Sequence, residues 1–187
     1  SGDPAAGVVA RSISQALRVS GPSLVISSAC AASLQAVLIA ARALQLGQVG
    51  MAIVGGASTC RADTHIEFSK ARANSATGSR PFDAEADGVI CSEGYVAIVM
   101  KTLEQAVADG DTIHAVVRGL GVSSDGRGKG PWAPQSEGQM LAIRRAYHSD
   151  ADMSRVQYIE AHATSTQRGD ATELRSLARA FEGRIAP

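Results

Sequence analysis

The 187-residue chain carries 18 basic and 18 acidic side chains, for a formal net charge of zero, and is 45% hydrophobic but only 4% aromatic. This length can bury a substantial core and fits one domain, while the balanced charge gives no reason to expect a nucleic acid or an anionic membrane as partner. The longest apolar stretch, Ala36 to Ala41, is far too short to cross a bilayer.

With so few aromatic residues, Ala, Val, Leu and Ile must supply the packing, as in closely spaced helices and sheets. No signal-peptide pattern opens the chain, and a start at Ser1-Gly2-Asp3-Pro4 without Met is what an excised piece of a longer protein would show. The three cysteines, Cys30, Cys60 and Cys91, form an odd set without CxxC spacing. A reduced, cytoplasmic protein without a disulfide framework or a metal site is therefore expected.

In chain order, Ala5 to Val19 predicts a helix, stopped by Ser20-Gly21-Pro22. Residues 23–28 predict a short, mostly buried strand. Ala31 to Leu46 is apolar almost all round, which places a helix inside the protein, with Gly47 as its C-terminal cap. Met51 to Val54 predicts a strand, and the polar stretch from Cys60 to Asp87 a loop. Tyr95 to Met100 is strand, Leu103 to Ala108 helix, Asp109-Gly110-Asp111 a turn and Ile113 to Val122 a longer strand. After a glycine-rich loop, Glu137 to Tyr147 predicts an amphipathic helix, Val156 to Glu160 a strand, and Ala171 to Phe181 a final helix. Alternating strands and helices argue an α/β fold with a layered sheet.

Two residues stand where chemistry is expected. Cys30 follows a predicted strand and opens a predicted helix, where backbone N–H groups and the helix dipole favour thiolate and can stabilise an oxyanion. His162 follows the strand 156–160 and precedes the hydroxyl-rich turn Ala163-Thr164-Ser165-Thr166. Ligands of α/β sheets gather beyond the carboxyl ends of strands, so the pair points to covalent acyl chemistry. Taken singly, each has a plainer reading, as a small buried thiol and a turn histidine. Cys60 and Cys91 read as buried thiols, and Glu93, Asp170 and Glu173 as structural acids in turns, caps or ion pairs. Trp132 is expected to pack its loop against the body. Gly126-Arg127-Gly128-Lys129-Gly130 lacks phosphate-loop spacing and reads as a surface loop, with Arg127 and Lys129 as minor candidates for carrier-protein contact.

An ordered set of motifs then becomes specific. Gly21-Pro22-Ser23 and Ser28-Ala29-Cys30-Ala31-Ala32-Ser33-Leu34 are followed by Gly55-Gly56-Ala57, Pro81-Phe82-Asp83, Asp87-Gly88, Ser92-Glu93-Gly94, Asp109-Gly110-Asp111 and Ser124-Asp125-Gly126-Arg127. Glu160-Ala161-His162-Ala163-Thr164-Ser165-Thr166, with Gly169-Asp170 and Glu173, completes it. From Gly21 to Phe181 the chain resembles the β-ketoacyl synthases of fatty-acid and polyketide assembly.

The resemblance implies a thiolase-like α/β fold of five layers (α-β-α-β-α), incomplete in this chain, and a homodimer. It divides residues 1–187 into the end of an N-terminal half, to about residue 100, and the start of a C-terminal half. Cys30 would be acylated, a malonyl-type extender on an acyl carrier protein decarboxylated, and the two joined by Claisen condensation. His162 would support decarboxylation, and Thr164 and Thr166 would hydrogen-bond the phosphopantetheine arm; the domain itself would hold no cofactor.

Ala163 and Ser165 stand where many members have glycine, Ser92 replaces a glycine before Glu93, and Ala171-Thr172 replaces Pro-Ile. The first two are small enough to be tolerated. The family's second catalytic histidine and its lysine have no counterpart among His65, His114 and His148, so the chain alone is expected to be inactive in condensation and prone to associate. The Asp109 to Gln139 stretch leans toward a ketosynthase of a large multidomain synthase, such as an iterative bacterial one. The alternatives are a non-catalytic half-domain for dimerisation or carrier docking, and a different cysteine–histidine acyltransferase or hydrolase.

Overall fold

The computed structural model describes residues 4–127, 130, 133–147 and 153–182. The chain divides into two compact units, residues 1–58 with 94–116, and residues 59–93 with 117–187.

In the first unit, α1 spans Pro4–Ala16 and α2 Ala32–Gln45. Strands β1 (Ala52–Ser58) and β2 (Gly94–Met100) pair antiparallel, from Ala52 opposite Met100 to Ser58 opposite Gly94. Helix α1 stops before the Gly-Pro signal because Arg18 turns left-handed (φ 53°), and the Arg18 and Val19 N–H groups close back on the Gln15 and Ser14 carbonyls. Gly47 does the same for α2: at φ 66° it donates to Leu44, and Gln48 donates to Ala43, the paired closure that ends helices at a glycine.

Helix α2 packs on β1, and glycine permits the approach: a Cβ on Gly56 would stand 3.1 Å from the Ser33 Cβ. The expected interior position of α2 is corrected, since only Leu44 is buried and Leu34 is 67% exposed. An all-round apolar helix reports a demand for burial, and this unit meets it on one side only. The following α4 (Leu103–Ala108) is capped by Thr102 Oγ1, which accepts the Gln105 N–H. The Lys101 ammonium, ahead of α4, donates to both Asp109 and Asp111 beyond it.

The second unit holds α3 (Ala62–Lys70), α5 (Ser136–Ala146) and α6 (Gln167–Phe181). Helices α5 and α6 pack together around Met140, Met153, Ala180 and Phe181, with Ile143, Tyr147, Val156 and Leu177 at the margin. Tyr147 meets Phe181 edge-on, with centroids 6.1 Å apart. Between these helices Ser176 Oγ donates to Ser136 Oγ at 2.9 Å and Arg179 pairs with Glu137. Residues 119–121 lie against α5, where a Cβ on Gly119 or Gly121 would fall about 2 Å from the Ala146 or Ala142 carbonyl; a side chain there cannot be accommodated.

Four expectations are corrected. Residues 23–28, 113–122 and 156–160 form no strand, because no segment among the described residues pairs with them. The Cys60–Asp87 stretch is not all loop: it contains α3, whose Asp63 and Lys70 sit at the ends that suit its dipole. Lys129, Trp132 and His148 lie outside the described residues.

Candidate active site

Cys30 occupies the middle of a 3-10 turn, Ala29–Ala31, that leads into α2. The turn is entered through Ala29 in the left-handed region (φ 45°), a conformation that costs an alanine about 1–2 kcal/mol. The thiol-bearing residue is exposed. Two of the N–H groups expected to be available at this helix mouth are already spent, Ala31 on the Ser28 carbonyl and Ala32 on that of Ala29. No side chain caps α2.

His162 belongs to the other unit, and its loop is held from three sides. The Glu173 carboxylate, in the second turn of α6, accepts the His162 N–H at 2.7 Å and the Ala163 N–H at 2.9 Å, one on each oxygen. Ser165, fully buried, accepts the Arg80 N–H on Oγ at 2.7 Å and the Gly88 N–H on its carbonyl at 2.7 Å. Asp170, 3% exposed, accepts the Phe82 N–H on Oδ2 at 2.7 Å; its Oδ1 has no partner among the described residues. The imidazole-bearing residue itself stays exposed.

Ala163 (φ 48°) and Ser165 (φ 60°) are both left-handed. Both replacements are accommodated, but at backbone angles that favour glycine, and Ser165 recovers part of that cost through its Arg80 bond. Thr164 and Thr166 share a hydroxyl–hydroxyl bond of 3.0 Å. Gly169 faces that pair, and a Cβ there would lie 2.4 Å from Thr166 Oγ1 and 3.0 Å from Thr164 Oγ1.

The loop that receives Ser165 is built around Gly88. At φ 144°, with a hypothetical Cβ 2.5 Å from the Ala73 carbonyl oxygen, this position admits only glycine. Next to it, Asp87 accepts from the Ser75 and Thr77 hydroxyls; the Ser75 bond, then that from Thr77, hold its carboxyl below the usual 3.8 despite some desolvation.

The structural reading of Glu93, Asp170 and Glu173 holds, although the sequence did not reveal which backbone groups they serve: Glu93 takes the Cys60 N–H at 2.8 Å. Cys60 is corrected from buried to exposed, and Cys91 is half-buried. Among the described residues no three His, Cys, Asp or Glu side chains are grouped as a metal site would require, and no helix is long and apolar enough to cross a membrane.

The Beta-ketoacyl synthase, N-terminal domain family matches residues 1–106, and the Beta-ketoacyl synthase, C-terminal domain family matches residues 114–186. The chain belongs to the β-ketoacyl synthase family. It is 42% identical over 182 residues to a highly reducing polyketide synthase of Aspergillus aculeatus, covering 95% of this chain and 8% of that synthase. It is 40% identical over 176 residues to the 5-methyl-1-naphthoate synthase of Streptomyces sahachiroi, covering 92% of this chain and 10% of the relative. Among solved structures, the ketosynthase from module 6 of the bacillaene synthase of Bacillus subtilis superposes with a TM-score of 0.91 at 31% identity, over 97% of this chain and 33% of that one. The fold is thus the thiolase-like α/β fold of the ketosynthases, and the chain spans about a tenth or less of these synthases and a third of the ketosynthase structure.

Proposed function

We propose that this chain supplies the acyl-accepting half of a polyketide ketosynthase reaction, with Cys30 as nucleophile. The observation that carries the reading is the match to both ketosynthase families in order, with Cys30 on a strained, exposed turn at a helix entrance. The Cys30 thiol exchanges with an acyl thioester, releasing the donor thiol. A malonyl-type thioester on an acyl carrier protein then loses carbon dioxide, and its carbanion attacks the acyl-cysteine carbonyl. Collapse of the oxyanion expels the Cys30 thiolate and leaves a β-ketoacyl thioester.

With Ala31 and Ala32 already bonded, the Cys30 N–H is the donor assigned to the oxyanion at this turn. His162, on a loop fixed by Glu173, Ser165 and Asp170, donates to the enolate oxygen as the extender decarboxylates. The Thr164 and Thr166 hydroxyls bind the phosphopantetheine arm of the carrier. The natural setting is a homodimeric domain within a cytoplasmic synthase, with the halves meeting near residue 100. The 187 residues alone accept an acyl group without completing condensation.

The test is intact-mass labelling with an acyl-thioester donor or a cerulenin-type epoxide, comparing the protein with its Cys30→Ala variant. A single adduct that vanishes in the variant supports the reading. Labelling of Cys30 no faster than that of half-buried Cys91, or no labelling of Cys30 in a folded protein, overturns it and leaves a non-catalytic docking or dimerisation module.

A further inference from the structure

A thiol–imidazole pair lies in the unit of α3, apart from the residues assigned to acyl transfer. Cys60, just ahead of α3, places its Sγ 2.8 Å from the Nε2 of His65, within the helix. The pair is anchored on both sides. The Cys60 N–H is held by Glu93 Oε1 at 2.8 Å, and the Cys91 carbonyl lies 3.9 Å from the Cys60 Sγ. On the helix side, Asn74 Nδ2 donates to the His65 carbonyl at 3.0 Å. Arg61 and Asp63, the charged neighbours on the same segment, are paired with each other.

The contrast with Cys91 is informative. Its thiol faces Asn74 Oδ1 at 3.8 Å, a neutral amide oxygen that cannot take up a proton. Imidazole exchanges a proton near neutral pH, and the thiolate rather than the thiol is the attacking species. Cys60 is also exposed, whereas Cys91 is half-buried.

We propose that Cys60 and His65 form a second nucleophilic site that adds soft electrophiles of the α,β-unsaturated carbonyl class. The Cys60 proton passes to His65 Nε2, and sulfur bonds to the β-carbon as the C=C π pair moves into an enolate. The imidazolium then returns the proton to the α-carbon, so the thioether forms with no leaving group and no oxidant. The site differs from Cys30 in needing no thioester.

The test uses N-ethylmaleimide in short pulses on the whole protein under native conditions, with the three cysteine peptides followed by mass. Cys60 should react about tenfold or more faster than Cys91, and faster than Cys60 itself in the urea-unfolded chain. A folded His65→Gln variant should bring Cys60 down to its unfolded rate. Native and unfolded Cys60 reacting alike would overturn the proposal without recourse to any variant. So would a His65→Gln or His65→Asn protein that folds and keeps the fast rate.

Discussion

Ser165 Oγ accepts the backbone N–H of Arg80 at 2.7 Å from a fully buried position, so one of the two residues that carry backbone strain in the His162 loop also anchors that loop. Ser165→Ala keeps the left-handed strain and orphans a part-buried N–H, which costs about 1–3 kcal/mol. Ser165→Gly loses the same bond but relieves about 1–2 kcal/mol of strain, so it should destabilise less. Urea denaturation of both variants checks the order. A Ser165→Gly protein less stable than Ser165→Ala would mean that strain is not the larger part of the balance.

Glu173 holds the His162 and Ala163 N–H groups with one oxygen each. Removing it in Glu173→Ala abandons two bonds to a charged acceptor, for an expected loss of about 2–4 kcal/mol. Glu173→Gln retains one acceptor and turns an amide donor toward the other N–H. Because His162 would be displaced but not removed, the Gln substitution carried in a complete ketosynthase domain should lower kcat by roughly tenfold or more, with acylation of Cys30 unchanged. Separate measurement of acylation and of extender decarboxylation checks this; equal losses in both would place Glu173 outside the positioning of His162.

The legibility of the fold follows a physical division. Local signals were readable: α5 and α6 from their periodicity, Gly47 as the end of α2, and Asp109-Gly110-Asp111 as a turn, closed in fact by Gly110 and Asp111 bonding back to Val107 and Ala106. Helix α3 was missed because Cys60 to Asp87 is polar and its apolar residues are few, although Asp63 near its start and Lys70 at its end carried a weak dipole signal. The strands expected at 113–122 and 156–160 are absent because composition states which residues favour burial, whereas a ladder needs a neighbour. Cys30 and His162 were expected at strand ends, yet neither 23–28 nor 156–160 is strand; Cys30 stands in a 3-10 turn ahead of α2 and His162 in a loop. What was not visible was that Ala163 and Ser165 lie at positive φ, since a small residue in place of glycine looks harmless until the backbone angle is known.

Gly169 supplies a sharper test of the threonine pair. A Cβ there would sit 2.4 Å from Thr166 Oγ1 and 3.0 Å from Thr164 Oγ1, well inside van der Waals contact, so Gly169→Ala must push both hydroxyls aside. If these bind the phosphopantetheine arm, KM for a carrier-bound extender, measured in a complete ketosynthase domain carrying the substitution, should rise by roughly tenfold while Cys30 labelling by a small epoxide is unaffected. A KM equal to that of the unsubstituted protein would remove Thr164 and Thr166 from substrate binding.

The Ser75 and Thr77 hydroxyls on Asp87 give the second unit an acid-sensitive point. Its folded pKa lies below the ordinary 3.8, so the bonds stabilise the folded state fully above that ordinary value. The contribution fades as pH falls through the lowered one. Asp87→Asn removes this titration, and the slope of Tm against pH between about 2 and 5 should flatten. An unchanged slope would show that other carboxylates govern acid unfolding.

Exposed area sets the last expectation. Along β2, Tyr95 is 74%, Val96 62% and Val99 65% exposed. Adjacent residues of a strand point to opposite faces, so β2 presents apolar side chains on both, as strands covered on two sides do. Uncovered surface of this kind drives association. The 187 residues alone should therefore sediment as concentration-dependent oligomers, and Val96→Lys with Val99→Lys should shift them toward monomer. A monomeric, cooperatively melting preparation of the unsubstituted chain would show that this surface is covered in solution by a rearrangement of the chain itself.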